Sequence, residues 1–159
     1  MAAVRAVPDG YSTVTPYLVI KGAAGALDWY RRAFGAQELA RAPGPDGRIM
    51  HAEMRVGETV VMMCDEFPEM SSNWRSPLTI GGTTVALWVY VEDCDSLHQK
   101  AVDAGANNES APADMFWGDR LGRLTDPFGH SWLIATHKED VPPEEMDRRQ
   151  KEYMTKMAG

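Results

Sequence analysis

Cysteine is scarce in this chain of 159 residues: Cys64 and Cys94 stand alone, with no CxxC pair and no Cys/His spacing of the kind that holds zinc. A disulfide framework is thereby excluded, and a reducing compartment is the default. Long apolar runs are also missing. None approaches the roughly 18 to 20 residues that cross a bilayer. The stretch from Met1 to Tyr11 scatters Arg5, Pro8, Asp9 and Gly10 among small residues, where a secretory signal needs an apolar core. Basic residues are in deficit, 16 Lys and Arg against 23 Asp and Glu, for a formal charge of −7. Nucleic acid and anionic membrane both require a basic face, so neither is expected as a partner. A cytoplasmic protein acting on small molecules or other proteins remains. Its 44% hydrophobic content suffices for one ordinary core without staples.

What the sequence does contain is a repeat. At an offset of 70, Tyr17–Ala36 (YLVIKGAAGALDWYRRAFGA) aligns with Leu87–Ala106 (LWVYVEDCDSLHQKAVDAGA), matching Val19 to Val89, Leu27 to Leu97, Gly35 to Gly105 and Ala36 to Ala106. Each stretch runs from a β-rich apolar segment into a helical pattern that ends in Gly-Ala. The continuations also match. In the first half, Gln37–Arg41 reads as a strand, Gly44–Gly47 as a turn, and Ile49–Val56 and Thr59–Asp65 as strands joined at Gly57-Glu58. In the second, Asn107–Ala111, Arg120–Thr125 and Ser131–Thr136 are strands, with the turn Asp126-Pro127-Phe128-Gly129 before the last. Both halves therefore read βαβββ. The predicted fold is α+β, a single domain of tandem modules: module 1 at about 13–66, a Pro/Ser/Gly-rich linker at about 67–82, module 2 at about 83–137. A C-terminal helix at about 142–157 opens with Pro142-Pro143-Glu144-Glu145 and carries Met146, Tyr153 and Met157 along one side.

This tandem, with AGALDWYRRAFGA after the first strand and LTDPFGHSWLIATH closing the second half, resembles the vicinal oxygen chelate superfamily of glyoxalases, bleomycin-resistance proteins and extradiol dioxygenases. MHAEMRVGETVVMMCDEFPE, MFWGDRLGRLTDPFGH and ATHKEDVPPEEM are more closely similar to its PhnB-like branch. The resemblance implies curved mixed sheets forming a cup, and commonly a homodimer. It also implies four His, Glu or Gln ligands around a divalent ion, from the first and fourth strands of each module. Those positions fall here at about Thr15, at Val85 or Ala86, within Val61–Met63, and at about Leu133. Hard and borderline cations need oxygen or nitrogen donors, so no metal and no cofactor are expected at the usual site.

Other polar groups are candidates. His51 and Glu53 lie two apart on a strand and therefore on one face, where they can act as general acid and base. Asp65 ends the neighbouring strand. With His51 and Glu53 it forms the alternative of a relocated site for Ni, Zn, Mn or Fe in a lyase, isomerase or dioxygenase. Candidate ligand-binding residues are Met63 and Asp65, the strand aromatics Trp88 and Tyr90, and Phe116, Trp117 and Arg120, read as an exposed aromatic lid with a fixed cation. The competing reading of that lid is a structural hairpin in which Asp119 pairs with Arg120. His98 is expected on the surface, and His130 in a structural turn. The leading expectation is a protein that binds or transforms a small apolar or aromatic ligand without the usual metal. A non-catalytic interaction module is the remaining alternative.

Overall fold

The computed structural model describes residues 4–158, which form two compact units dividing between Thr84 and Val85. The first contains β1 (Tyr17–Ile20), α1 (Ala23–Phe34), β2 (Gln37–Pro43), β3 (Ile49–Val56), β4 (Thr59–Asp65) and a short helix α2 (Pro77–Ile80) within the expected linker. The second contains β5 (Ala86–Tyr90), α3 (Cys94–Asp103), β6 (Asn107–Asp114), β7 (Asp119–Thr125), β8 (Ser131–His137) and α4 (Pro143–Met157). Each unit builds one four-stranded sheet, in the orders β1-β4-β3-β2 and β5-β8-β7-β6. In each, the first strand runs parallel to the last and the other pairs are antiparallel. The fold is the α+β tandem βαβββ arrangement, with a C-terminal helix.

In each unit the helix after the first strand covers one face of the sheet. α1 packs on β1 to β4, and α3 on β6, β7 and β8. Residues directly opposite across a ladder share a face, so the pairing assigns sides. In the first unit Leu18, Ile20, Ala52, Met54, Val61 and Met63 are buried on the helix side. Tyr17, Val19, Glu53, Met62 and, by alternation, His51 point to the opposite face. In the second, Leu87, Trp132, Leu124, Val89, Ile134 and Gly122 lie under α3, while Trp88, Leu133, Arg123, Tyr90, Ala135 and Leu121 face away.

This pairing corrects the repeat. Tyr17 sits opposite Met62 and Trp88 opposite Leu133, on corresponding sides, so the first strands and helices correspond at an offset of 71. Val19 and Val89, matched by sequence, point to opposite faces, because a slip of one residue reverses a strand. The same slip puts His98 where Leu27 stands. Both are buried, and His98 Nε2 lies 3.3 Å from the Arg123 carbonyl, so the expected surface histidine is a core one. The offset returns to 70 at Gly35 and Gly105, both in the left-handed region, after 12 residues in α1 and 10 in α3.

Asp65 and Thr136 share a task at the corrected offset. Asp65 is buried and accepts from the backbone N–H of Gly22 and Ala23 at the start of α1, and from Ile49 N at the start of β3. Thr136 Oγ1 accepts from Cys94 N at the start of α3. Gly22 has no side chain with which to cap α1, so the donors left over at that helix end are satisfied from the neighbouring strand.

Candidate functional site

The face of the first unit's sheet that α1 does not cover carries a polar chain on an apolar floor. β3 places His51 and Glu53 side by side, with His51 Nε2 3.0 Å from Glu53 Oε1. Glu53 also accepts from the Tyr11 hydroxyl of the segment before β1. On the other side of the imidazole, the Tyr17 hydroxyl lies 3.5 Å from Nδ1, a long contact, and the Tyr17 ring meets Trp74 edge-on at 5.2 Å. Val19 and Met62 complete the surface. The hydrogen bonds from His51 and then Tyr11 hold Glu53 below the ordinary carboxylate range, against its partial burial. Burial, and then the Cys64 thiol, push the Tyr17 phenol up. A carboxylate only accepts, so Glu53 fixes a proton on His51 Nε2 and leaves Nδ1 as the basic nitrogen beside a hydroxyl.

Met63 does not belong to this face. It is fully buried on the helix side next to Ala52, and Met62 takes the place expected of it. Asp65 is also removed from it, because its two oxygens are committed to three backbone donors.

The second unit carries a different cluster on the corresponding face. Asp119, 4% exposed, accepts from Tyr90 Oη and Trp117 Nε1, each at 3.0 Å from Oδ2, and from His137 Nδ1 at 2.7 Å from Oδ1. His137 Nε2 lies 3.0 Å from the exposed Asp140 carboxylate. Trp88 and Tyr90, 42% and 60% exposed, lie next to each other at 5.9 Å between ring centres. Here sequence reasoning missed Asp119 and His137, which are 18 positions apart and become direct neighbours through the β7–β8 register.

Arg120 is displaced from its expected role. It sits on the α3 side of β7, where Asp95 grips it at 2.6 and 2.7 Å and Asp114 at 3.2 Å, so its charge is already neutralised. Asp119 and Arg120 do not pair with each other either, since neighbouring strand residues face opposite ways. Phe116 and Trp117 are half-buried instead of forming an exposed lid: the Phe116 ring meets that of Tyr153 of α4 at a tilt, 5.2 Å between centres, and Trp117 donates to Asp119.

The positions to which the resemblance carries metal ligands do not fit a divalent ion. Thr15 donates its hydroxyl to the Ser12 carbonyl, and Val85, Ala86, Val61, Met62, Met63 and Leu133 have no oxygen or nitrogen donor in their side chains. Among the described residues, no three His, Cys, Asp or Glu side chains converge on a point that a metal ion could occupy.

Comparison with known proteins places the chain. A sequence model described as the Glyoxalase/Bleomycin resistance protein/Dioxygenase superfamily matches residues 13–134. An uncharacterized protein of Mycobacterium bovis is 41% identical over 134 residues, covering 84% of this chain and 88% of its own length. Among solved structures, TioX from Micromonospora sp. ML1 is 28% identical with a TM-score of 0.64, over 79% of this chain and 98% of that one. A PhnB protein from Bacillus cereus shares the fold, with a TM-score of 0.60 at 17% identity over 79% of this chain and 99% of its own.

Proposed function

Since the chain belongs to the Glyoxalase/Bleomycin resistance protein/Dioxygenase superfamily, we propose that it binds or transforms a small apolar or aromatic molecule on that scaffold without the family's usual metal. The observation that carries this reading is the Tyr17–His51–Glu53 chain, which sets a titratable imidazole on an apolar sheet face. Glu53 orients His51 and fixes a proton on its Nε2. Nδ1 is then the atom that takes a proton from, or returns it to, a ligand lying over Val19 and Met62. Where no reaction follows, the same face binds by apolar contact plus one hydrogen bond. The relocated metal set has lost its support, because Asp65 is engaged by Gly22, Ala23 and Ile49. The protein is read as a cytoplasmic homodimer, in keeping with the resemblance and with two buried free thiols. Sedimentation at several concentrations tests the dimer.

The decisive experiment is elemental analysis after equilibration with Ni²⁺, Zn²⁺, Mn²⁺ and Fe²⁺, followed by thermal-shift screening of small aromatic and apolar compounds against the wild type and His51→Ala. Metal at background in both proteins, with a stabilising compound whose effect disappears in the variant, is the expected result. About one ion per chain, lost in His51→Ala, would overturn the metal-free reading. A compound that stabilises both proteins equally would remove His51 from the site.

A further inference from the structure

α4 is attached to the second unit chiefly through the segment that leads into it. Among the described residues, none of those in α4 is buried, so the apolar packing that fixes most helices is missing here. The Arg149 guanidinium is paired with Glu139 at 2.9 Å, and the Tyr153 ring meets Phe116. The rest falls to residues 138–141. Lys138 N and Glu139 N both donate to the Gly118 carbonyl, at 2.9 and 3.1 Å, and a Cβ at Gly118 would collide with the Glu139 carbonyl. This segment therefore lies against the turn before β7, and a group that grips both has leverage on the whole helix.

His137 is that group. Its Nδ1 lies 2.7 Å from buried Asp119 at the start of β7, and its Nε2 lies 3.0 Å from Asp140 in the lead-in segment. A carboxylate accepts and cannot donate, so a ring that bonds two carboxylates must carry a proton on both nitrogens. The bridge thus exists only as the imidazolium. Burial works to raise the Asp119 pKa, but the hydrogen bonds from His137, Tyr90 and Trp117 hold it below the ordinary carboxylate range. Asp119 and then Asp140 in turn raise that of His137. When the imidazolium gives a proton to water, its two nitrogens are not equivalent. Nδ1 keeps its proton, because buried Asp119 would otherwise lose a donor. Nε2 loses its own, and its lone pair then faces the Asp140 carboxylate with no proton between them. Asp140, fully exposed, turns to water instead.

The other charged and titratable groups around the ring supply no substitute. On β5, Tyr90 donates to Asp119. On α4, Arg149 is committed to Glu139 and Glu145. Lys138 joins the latch through its backbone, and Arg120 of β7 is held by Asp95 and Asp114 on the α3 side of the sheet.

We propose that His137 is a pH-sensitive latch on α4: as the imidazolium it ties the lead-in segment to β7, and on losing the Nε2 proton it releases Asp140 and loosens the helix. The latch is closed below the His137 titration and open above it. The exposure of Asp140 bounds its strength, which corresponds to about a two- to fivefold change in the equilibrium for opening. Opening lifts Tyr153 from Phe116 and frees a helix on which Tyr153, Met154 and Met157 are already exposed. The device acts within the second unit and is independent of the function proposed for the first.

The test is hydrogen exchange of the α4 amides in the full chain, followed by NMR from about pH 5 to pH 9. Rates are expressed as protection relative to an unfolded chain, which removes the intrinsic pH dependence of exchange. The His137 ring signals, read in the same samples, give its titration. Protection of α4 should fall by about two- to fivefold as pH rises through that titration. Asp140→Asn should abolish the step, because an amide accepts from the imidazolium through its oxygen and donates to the neutral ring through its nitrogen. Asp140→Ala should hold protection at the lower level at every pH. Both changes are at a fully exposed position, so the outcome does not hang on a variant that misfolds. Glu139→Gln, which weakens the pair with Arg149, should lower protection at every pH and keep the step. A step that survives in Asp140→Asn, a step centred away from the His137 titration, or protection that stays level while the ring titrates would each overturn the proposal.

Discussion

The two units use one architecture and set their polar groups in different places. At the offset of 70 that relates β3 to β7, His51 and Glu53 correspond to Leu121 and Arg123, so the first unit has its histidine in mid-strand and the second has none there. The second places its histidine at the end of β8 instead, against a buried aspartate at the start of β7. Equivalent backbone positions thus carry unrelated side chains on the faces that the helices leave uncovered. On the covered faces the correspondence is close: Leu27 and His98, Tyr30 and Ala101, Ala23 and Cys94 are all buried pairs. Packing against a helix constrains both copies of a repeat alike, whereas an uncovered face is free to acquire chemistry in one copy only.

The helix caps are the sharpest place to break this comparison. Asp65 serves three backbone donors and Thr136 one. Asp65→Ala leaves the buried N–H groups of Ala23 and Ile49, and the more exposed one of Gly22, without their acceptor and should cost about 3 kcal/mol, enough to lower the melting temperature by roughly 6 to 12 °C in a chain of this size. Thr136→Val removes a single acceptor and should cost only about 1 kcal/mol. Denaturant titration of both variants measures the ratio. Equal losses would mean that the two caps are equivalent and that the first unit does not depend on its carboxylate.

Glycine gives a second contrast, of opposite sign in the two units. Gly122 lets β7 pass beneath α3: a Cβ there would stand 2.7 Å from His98 Cδ2 and 2.9 Å from Pro112 Cγ. Gly122→Ala should therefore destabilise by about 2 kcal/mol. Gly25 lies in α1 with nothing within 4 Å of an added Cβ, and Gly25→Ala should stabilise by about 0.5 kcal/mol through helix propensity. Calorimetry of the two variants should show melting temperatures on either side of the wild type. A stable Gly122→Ala protein would mean that α3 can lift off its sheet.

How much of this could be read without coordinates depended on the range of the interaction. Strands, helices and turns follow from local periodicity, from Gly-Ala at the helix ends and from turns such as Asp126–Gly129, where Asp126 accepts from Phe128 N and His130 N. The His51–Glu53 contact was also legible, since alternation alone puts residues two apart on one face. Alternation equally separates Asp119 from Arg120, a signal present in the sequence itself. What could not be read was register. Met62 and Met63 are indistinguishable by composition, and only the pairing of Glu53 with Met62 shows which of them faces His51. The Asp119–His137 contact likewise exists only because β7 and β8 pair in that register. Asp65 left one faint trace: a helix that begins after Gly22 has no cap of its own and must take one from elsewhere.

The smallest expected effect is in the pH dependence of stability, where Glu53 of the first unit and His137 of the second should act with opposite sign. Glu53 is depressed by His51 and Tyr11. Its contribution is present above the unfolded carboxylate value and is lost as pH falls through the lower folded value. His137 is raised by Asp119 and Asp140. Its contribution is complete below the unfolded imidazole value of about 6.5 and is lost as pH rises through the higher folded one. The partners are partly or fully solvent-exposed, so both slopes should be shallow and should weaken in salt. Denaturation midpoints measured from about pH 3 to pH 9 should lose part of their acid-side slope in Glu53→Gln, with Asp119, Glu66, Glu145 and the other carboxylates held low supplying what remains, and lose part of their slope above about pH 6.5 in His137→Gln. A slope just above pH 6.5 that is unchanged in His137→Gln would show that the buried aspartate does not couple to this imidazole. The second unit's cluster would then be a hydrogen-bonded strand end and nothing more.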